Sequence, residues 1–183
     1  RHISTLANLL IMTKSKKTKT TAHSGIKLQG FFRINITEDR NGKEVIVGDS
    51  GWRENQVTND GILKFLTTPL TGGAANAVSH MALGTGAAPA SNDTALSGEI
   101  THASNDRKAV STSIVSSRTA QFTAAFNSVD SFLTATANLS NIGLFATSTT
   151  AAGTILAGNT YTSSAVATNQ NVNATYQIRF ASA

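Results

Sequence analysis

Apolar and polar residues alternate from Ile26 to Thr37. Ile26, Leu28, Gly30, Phe32, Ile34 and Ile36 fall on one side, and Lys27, Gln29, Phe31, Arg33, Asn35 and Thr37 on the other. A period of two sends successive side chains to opposite faces, so this stretch predicts a half-buried β-strand, with Phe31 the one exception on its polar side. Asp39-Arg40-Asn41-Gly42 predicts a tight turn, because Asn-Gly tolerates the positive φ angles a hairpin needs, and Lys43 to Val47 predicts the returning strand. The end of the chain alternates in the same way, with Val172, Ala174, Tyr176, Ile178 and Phe180 set against Asn173, Thr175, Gln177 and Arg179.

Between these two strands the pattern changes once. Thr58-Asn59-Asp60-Gly61 ahead of Ile62, Leu63, Phe65 and Leu66 reads as a cap followed by two helical turns, ending before Pro69. Stretches rich in Val, Ile, Thr and Phe predict strands at Val78 to Leu83, Lys108 to Ser116, Thr119 to Asn127, Ser131 to Asn138, Ile142 to Thr147 and Thr154 to Ser163. Turn residues recur about every 8 to 12 positions, as in a sandwich or barrel. The expected fold class is therefore mainly β: a single antiparallel β-sandwich, jelly-roll-like, over residues 26–183. It carries one short helix near 59–68 and follows an extended basic N-terminal arm over residues 1–25.

Charge sharpens the division between arm and body. Arg1 to Arg33 holds seven basic residues and no acidic one, whereas Ile34 onward holds eight basic and ten acidic. A basic segment on a mildly acidic body predicts contact with something acidic, either an anionic protein surface or nucleic acid. The expected partner-binding residues are Lys14, Lys16, Lys17, Lys19 and Lys27. No aromatic residue or arginine interrupts the Lys14–Lys19 run, so stacking or base reading is not expected of it, and nucleic acid is the less favoured partner. Ile3, Leu6, Ala7 and Leu10 have helical spacing, but this short stretch falls well below the roughly 20 apolar residues a membrane span requires. Met12 followed by Thr-Lys-Ser-Lys-Lys reads as a translation start, with the first eleven residues an upstream extension or a trimmed precursor.

Composition removes several chemistries. The chain has no cysteine, which excludes disulfides, thiolate catalysis and cysteine-held metal. Ala, Thr, Ser and Asn fill 86 of 183 positions, and between Ser131 and Ala183 the only charged side chain is Arg179. A surface so poor in charge predicts burial against other subunits, and copies of the same chain are the expected partners.

The remaining candidates are weak. His2, His23, His80 and His102 lack the paired spacing of a metal site. Ser79, His80 and Asp93 can be assembled into a triad only on paper, since no nucleophile elbow is present. Gly84-Thr85-Gly86 lacks the third glycine and the lysine of a phosphate-binding loop and reads as a tight turn. Asn92, Asp93 and Asp106 lack calcium-loop spacing, and the ten carboxylates are too scattered for paired acid–base work. Trp52 reads more readily as a packing residue at a hairpin end than as a ligand platform. Neither catalysis nor a cofactor is expected.

Three passages resemble small virion proteins of tailed bacteriophages, of the head-decoration, head-fibre, collar or tail-fibre type. They are Val57-Thr-Asn-Asp-Gly-Ile-Leu-Lys-Phe-Leu66, Val78-Ser-His-Met-Ala-Leu-Gly-Thr-Gly-Ala-Ala-Pro-Ala-Ser-Asn-Asp-Thr-Ala-Leu96, and Ile142-Gly-Leu-Phe145 with Gly153-Thr-Ile-Leu-Ala157 and the terminal strand. Where that family's usual text has an acidic residue shortly before Gly-Leu-Phe, this chain has Ser140 and Asn141. The resemblance implies a β-sandwich subunit assembling by symmetry on a particle, with no catalytic residues. The expected function is a capsid decoration or cement subunit that binds the major capsid protein through its arm. A neck, collar or fibre-attachment protein is the alternative within that class, and a nucleic-acid-packaging coat protein the alternative outside it.

Overall fold

The computed structural model describes residues 25–73, 78–100, 107–150 and 153–182. The arm, with Lys14, Lys16, Lys17 and Lys19, lies outside the described residues, as do His2, His23, His102 and Asp106.

The alternation at the start of the body does form a strand, β1 (Ile26–Asp39), whose Phe32, Ile34 and Ile36 are buried. It turns at Asn41 and Gly42, both with positive φ, and the Asp39 carboxylate accepts the Gly42 N–H at 2.8 Å. The returning strand is β2 (Glu44–Asp49). A strand that the sequence pattern does not predict follows, β3 (Arg53–Val57). Its first residues pair with β1, while Gln56 and Val57 pair with β9 (Ile155–Val166).

That split pairing sets the architecture. The remaining strands are β4 (His80–Gly84), β5 (Lys108–Ala109), β6 (Ser111–Ser116), β7 (Thr119–Phe126), β8 (Ala137–Phe145) and β10 (Gln170–Ser182). All ten belong to one antiparallel hydrogen-bonded sheet in the order β5-β4-β8-β9-β3-β1-β10-β7-β6, with β2 beside β1. Instead of two separate sheets facing each other, the strands are joined through β3, and the sheet curls until it is nearly closed like a barrel. The expected single strand Lys108 to Ser116 is broken at Val110, whose N–H donates to the Ser79 carbonyl. Its two pieces sit at opposite ends of the strand path, so the break brings the ends of the curled sheet together.

One core fills the curl. Phe32 stacks on Tyr176 at 6.0 Å between ring centroids, and Tyr161 meets Phe32 edge-on at the same distance. Leu83, Leu139, Ile142, Leu144, Leu156 and Val166 reach the core from the other half of the sheet. Each such side chain contributes about 1.5–3 kcal/mol by leaving water.

Two further expectations are corrected. Ser131 to Asn138 is not a strand: a 3₁₀ turn at Ser128–Asp130 leads to Ser131 in the left-handed region, and β8 begins only at Ala137. Phe132 and Leu133 are apolar because they plug the core from a loop, with Phe132 against Phe126 at 5.8 Å. The helix does not stop before Pro69. Thr58 caps it, accepting the Gly61 N–H at 3.1 Å, and an α-turn (α1, Asn59–Ile62) passes through a π-turn at Leu63–Thr67 into α2 (Thr68–Leu70). The wider π-turn shifts the hydrogen-bond frame so that Pro69 falls in the first turn of α2, where no N–H is needed.

Candidate binding cleft on the outer face of the sheet

The polar side of β1, β10 and β7 faces outward. Across these strands Phe31 stands opposite Gln177, Gln177 opposite Gln121, and Arg179 opposite both Gln29 and Thr119. Phe31, the exception in the β1 alternation, therefore stands on an otherwise polar surface. It lines a cleft of about 480 Å³ with Trp52, Gln177, Thr119, Arg118 and Arg179, closed on the β6 side by Val115 and Ser116.

Each wall has a local cause. The Asp49–Gly51 turn delivers Trp52. Asp49 takes Arg33 in a two-pronged ion pair at 3.0 and 2.5 Å and accepts the Gly51 N–H at 2.9 Å, while Ser50 exchanges hydrogen bonds with the Ile34 backbone. Gly51 adopts φ +62°, which favours glycine. The Arg33 hydrogen bond, the Gly51 N–H and the guanidinium charge together hold the Asp49 carboxyl down at about 2. Trp52, 48% exposed, ends at the cleft rather than in a packed hairpin end.

On the opposite side, a register shift between Ile114 and Ser116 makes Val115 a bulged residue. Ser116 stands opposite Thr119, so two successive side chains, Val115 and Ser116, reach the cleft where a regular strand would present one. The floor is ordered before any ligand arrives: Gln177 Nε2 donates to Gln121 Oε1 at 2.8 Å, and Ser116 Oγ donates to Thr119 Oγ1 at 3.1 Å.

Cations dominate the end near β6 and β7. Arg33 is neutralised by Asp49, Arg107 by Glu99 and Lys108 by Asp130, whereas among the described residues Arg118 and Arg179 have no acidic partner. Lys27 lies on this same face. It stands opposite Ala181, one register step beyond the Gln29–Arg179 pair, and is not among the residues that line the cleft. Glu54, opposite Phe31, is the acidic residue at the aromatic end.

The other candidates from the sequence do not assemble. Ser79 Oγ lies 2.7 Å from Nδ1 of His80, but the Asp93 carboxylate accepts the Ala90 N–H, and no hydrogen bond joins it to His80. Burial, and to a lesser extent the Arg107 charge, push the His80 imidazole below its ordinary value. Gly84-Thr85-Gly86 is packed closely against the Ser97–Gly98 backbone. Added Cβ atoms at Gly84 and Gly86 would lie 2.8 Å from the Gly98 carbonyl oxygen and 2.4 Å from the Ser97 one. Among the described residues no three His, Asp or Glu side chains cluster as metal ligands, and no helix is long and apolar enough to cross a membrane.

The position that departs from the phage text has a structural role. Asn141 is wholly buried, and its Nδ2 donates to the Ala87 and Ser97 carbonyls at 3.0 and 2.8 Å, while Ser140 Oγ donates to the Gly86 carbonyl. A carboxylate there would have no proton to give those oxygens. No family model, curated protein or solved structure matches this chain.

Proposed function

We propose that this chain is a non-enzymatic structural subunit of a tailed-bacteriophage particle, a capsid decoration or cement protein. In this reading the β body packs with copies of itself on the particle surface, and the arm over residues 1–25 binds the major capsid protein. The observation that carries the self-association is β6. All six residues of Ser111–Ser116 are exposed, with Ile114 at 83%, none is charged or proline, and among the described residues no strand pairs with the outer edge. An uncovered edge of this composition offers its free N–H and C=O groups to another chain, and most monomers block such an edge with lysine, proline or a covering loop. Val45, Ile46 and Val47 form a second exposed apolar stretch on β2, flanked by the charged Glu44 and Asp49. Many weak contacts of this sort, repeated by symmetry, add up to firm attachment.

Sedimentation of the full chain tests the first half of the proposal. A defined oligomer is expected, shifted toward monomer by Ile114→Lys, and a monomer at tens of micromolar overturns it. For the second half, deletion of residues 1–25 is expected to leave a folded body that no longer adds to particles. Undiminished addition counts against the arm as the anchor. Hundreds of copies per particle fit a shell, and small multiples of three or six a neck or tail.

A further inference from the structure

We propose that the outer-face cleft is a binding site for an acidic oligosaccharide, with a sugar carboxylate held by Arg118 and Arg179 and a pyranose face laid on Trp52 and Phe31. This goes beyond the assembly role and does not depend on it.

The shape of the cleft argues for a small elongated ligand. Its residues come from β1, β10, β7 and β6, neighbours in the strand order, with Trp52 from the turn before β3, so it runs across the sheet for about 14 Å, three strand spacings. A peptide added by backbone pairing would instead run along the β6 edge. A volume of about 480 Å³ lies within the usual range for small-molecule sites.

Chemistry differs between the two ends, and each end lacks a partner of its own. At one, half-buried Phe31 breaks the β1 alternation and exposed Trp52 lines the same cleft, and flat rings suit the C–H face of a pyranose. At the other, Arg118 and Arg179 are exposed cations with no acidic partner among the described residues, and a guanidinium fork matches a carboxylate in two-pronged geometry. Between the ends, the Gln177 amide is oriented by Gln121, and Ser116 and Thr119 hydroxyls stand close together, a set suited to sugar hydroxyls. The bulge at Val115 gives this wall its extra side chain, as bulges commonly do beside functional sites.

Stacked bases with phosphates on arginine are the rival occupant. A nucleic-acid track requires positive charge along its length. Here Glu54 stands at the aromatic end to offset neighbouring Arg53, and Asp49 cancels Arg33, so net positive charge collects at the Arg118–Arg179 end.

Trp52 is the only tryptophan of the chain, so its emission reports on the cleft directly. The full-length protein is titrated with tri-galacturonate, its neutral methyl ester, inorganic phosphate and a short oligo-dT. Saturable change with tri-galacturonate is expected, with the ester weaker by about tenfold or more, the loss of one charge-assisted pair. Arg118→Gln and Arg179→Gln, both at exposed positions, are each expected to weaken tri-galacturonate by a similar factor and to leave far-UV circular dichroism unchanged. The proposal is overturned by no saturable change with tri-galacturonate, by equal affinity for the ester, by phosphate competing as well as the acid sugar, or by tighter binding of oligo-dT.

Discussion

Arg107 and Glu99 form a two-pronged ion pair inside the protein, with Nε to Oε1 at 2.6 Å and Nη2 to Oε2 at 3.1 Å, and side-chain exposures of 1% and 6%. The guanidinium also lies 3.4 Å from the centre of the Phe145 ring, and its Nη1 donates to Thr147 Oγ1. Glu99 belongs to the segment that bridges to Gly84, and Phe145 ends β8, so the pair pins a long loop against the sheet. Glu99→Ala removes the two-pronged carboxylate from a buried guanidinium and is expected to cost about 3–5 kcal/mol. Replacing both, as Glu99→Leu with Arg107→Met, is expected to recover much of that loss. Urea unfolding of the single and double variants measures both effects.

Asn141→Asp is expected to destabilise the fold by about 1–3 kcal/mol or more at neutral pH, because two carbonyl oxygens lose their donor and face a carboxylate instead. Burial among acceptors raises the pKa of the new carboxyl, and protonation restores one donor. Part of the loss is therefore expected to return as pH falls toward 5, which thermal unfolding at two pH values detects.

Gly61→Ala is expected to loosen the α1 helix from β9. An added Cβ would sit 1.9 Å from the Leu156 carbonyl oxygen, a backbone atom that cannot rotate away, and the Thr58 hydroxyl, which accepts the Gly61 N–H, donates to that same carbonyl. The cost should be about 1–3 kcal/mol, the range for an overpacked interior site. Hydrogen exchange of residues 59–70 should rise with it.

Acid should release the turn that holds Trp52. The Asp49 carboxyl sits at about 2 against an ordinary 3.8, so its contribution is complete above about pH 4 and is lost as pH falls through about 2. A change in Trp52 emission with a midpoint near pH 2 is expected, and Asp49→Asn should abolish that transition while altering the emission at neutral pH.

Local rules made several elements legible. β1, β10, the Asn41-Gly42 turn and the Thr58 cap each depend on a few adjacent residues, and the period of two or the cap residue is visible without knowing what packs where. The same alternation exposed the key to the cleft, since Phe31 broke it. What the break meant was not legible: Trp52 reads as packing until the Asp49–Gly51 turn is seen to place it in the same cleft as Phe31. Phe132 and Leu133 look like strand residues because burial and strand pairing leave the same apolar mark.

The sequence by itself determined that this is a mainly β chain with antiparallel neighbours, a positively charged leading segment and a charge-poor second half. These follow from side-chain periodicity, turn chemistry and composition, all local properties. Only the tertiary structure decided that β3 joins the two halves into one curled sheet, that the strand expected at Lys108 to Ser116 divides between its ends, and that Arg118, Arg179, Phe31 and Trp52 share one cleft. Those are pairings between residues up to 156 positions apart, Ile26 with Ser182 at the extreme, and their energy depends on which partner is adjacent in space rather than in the chain.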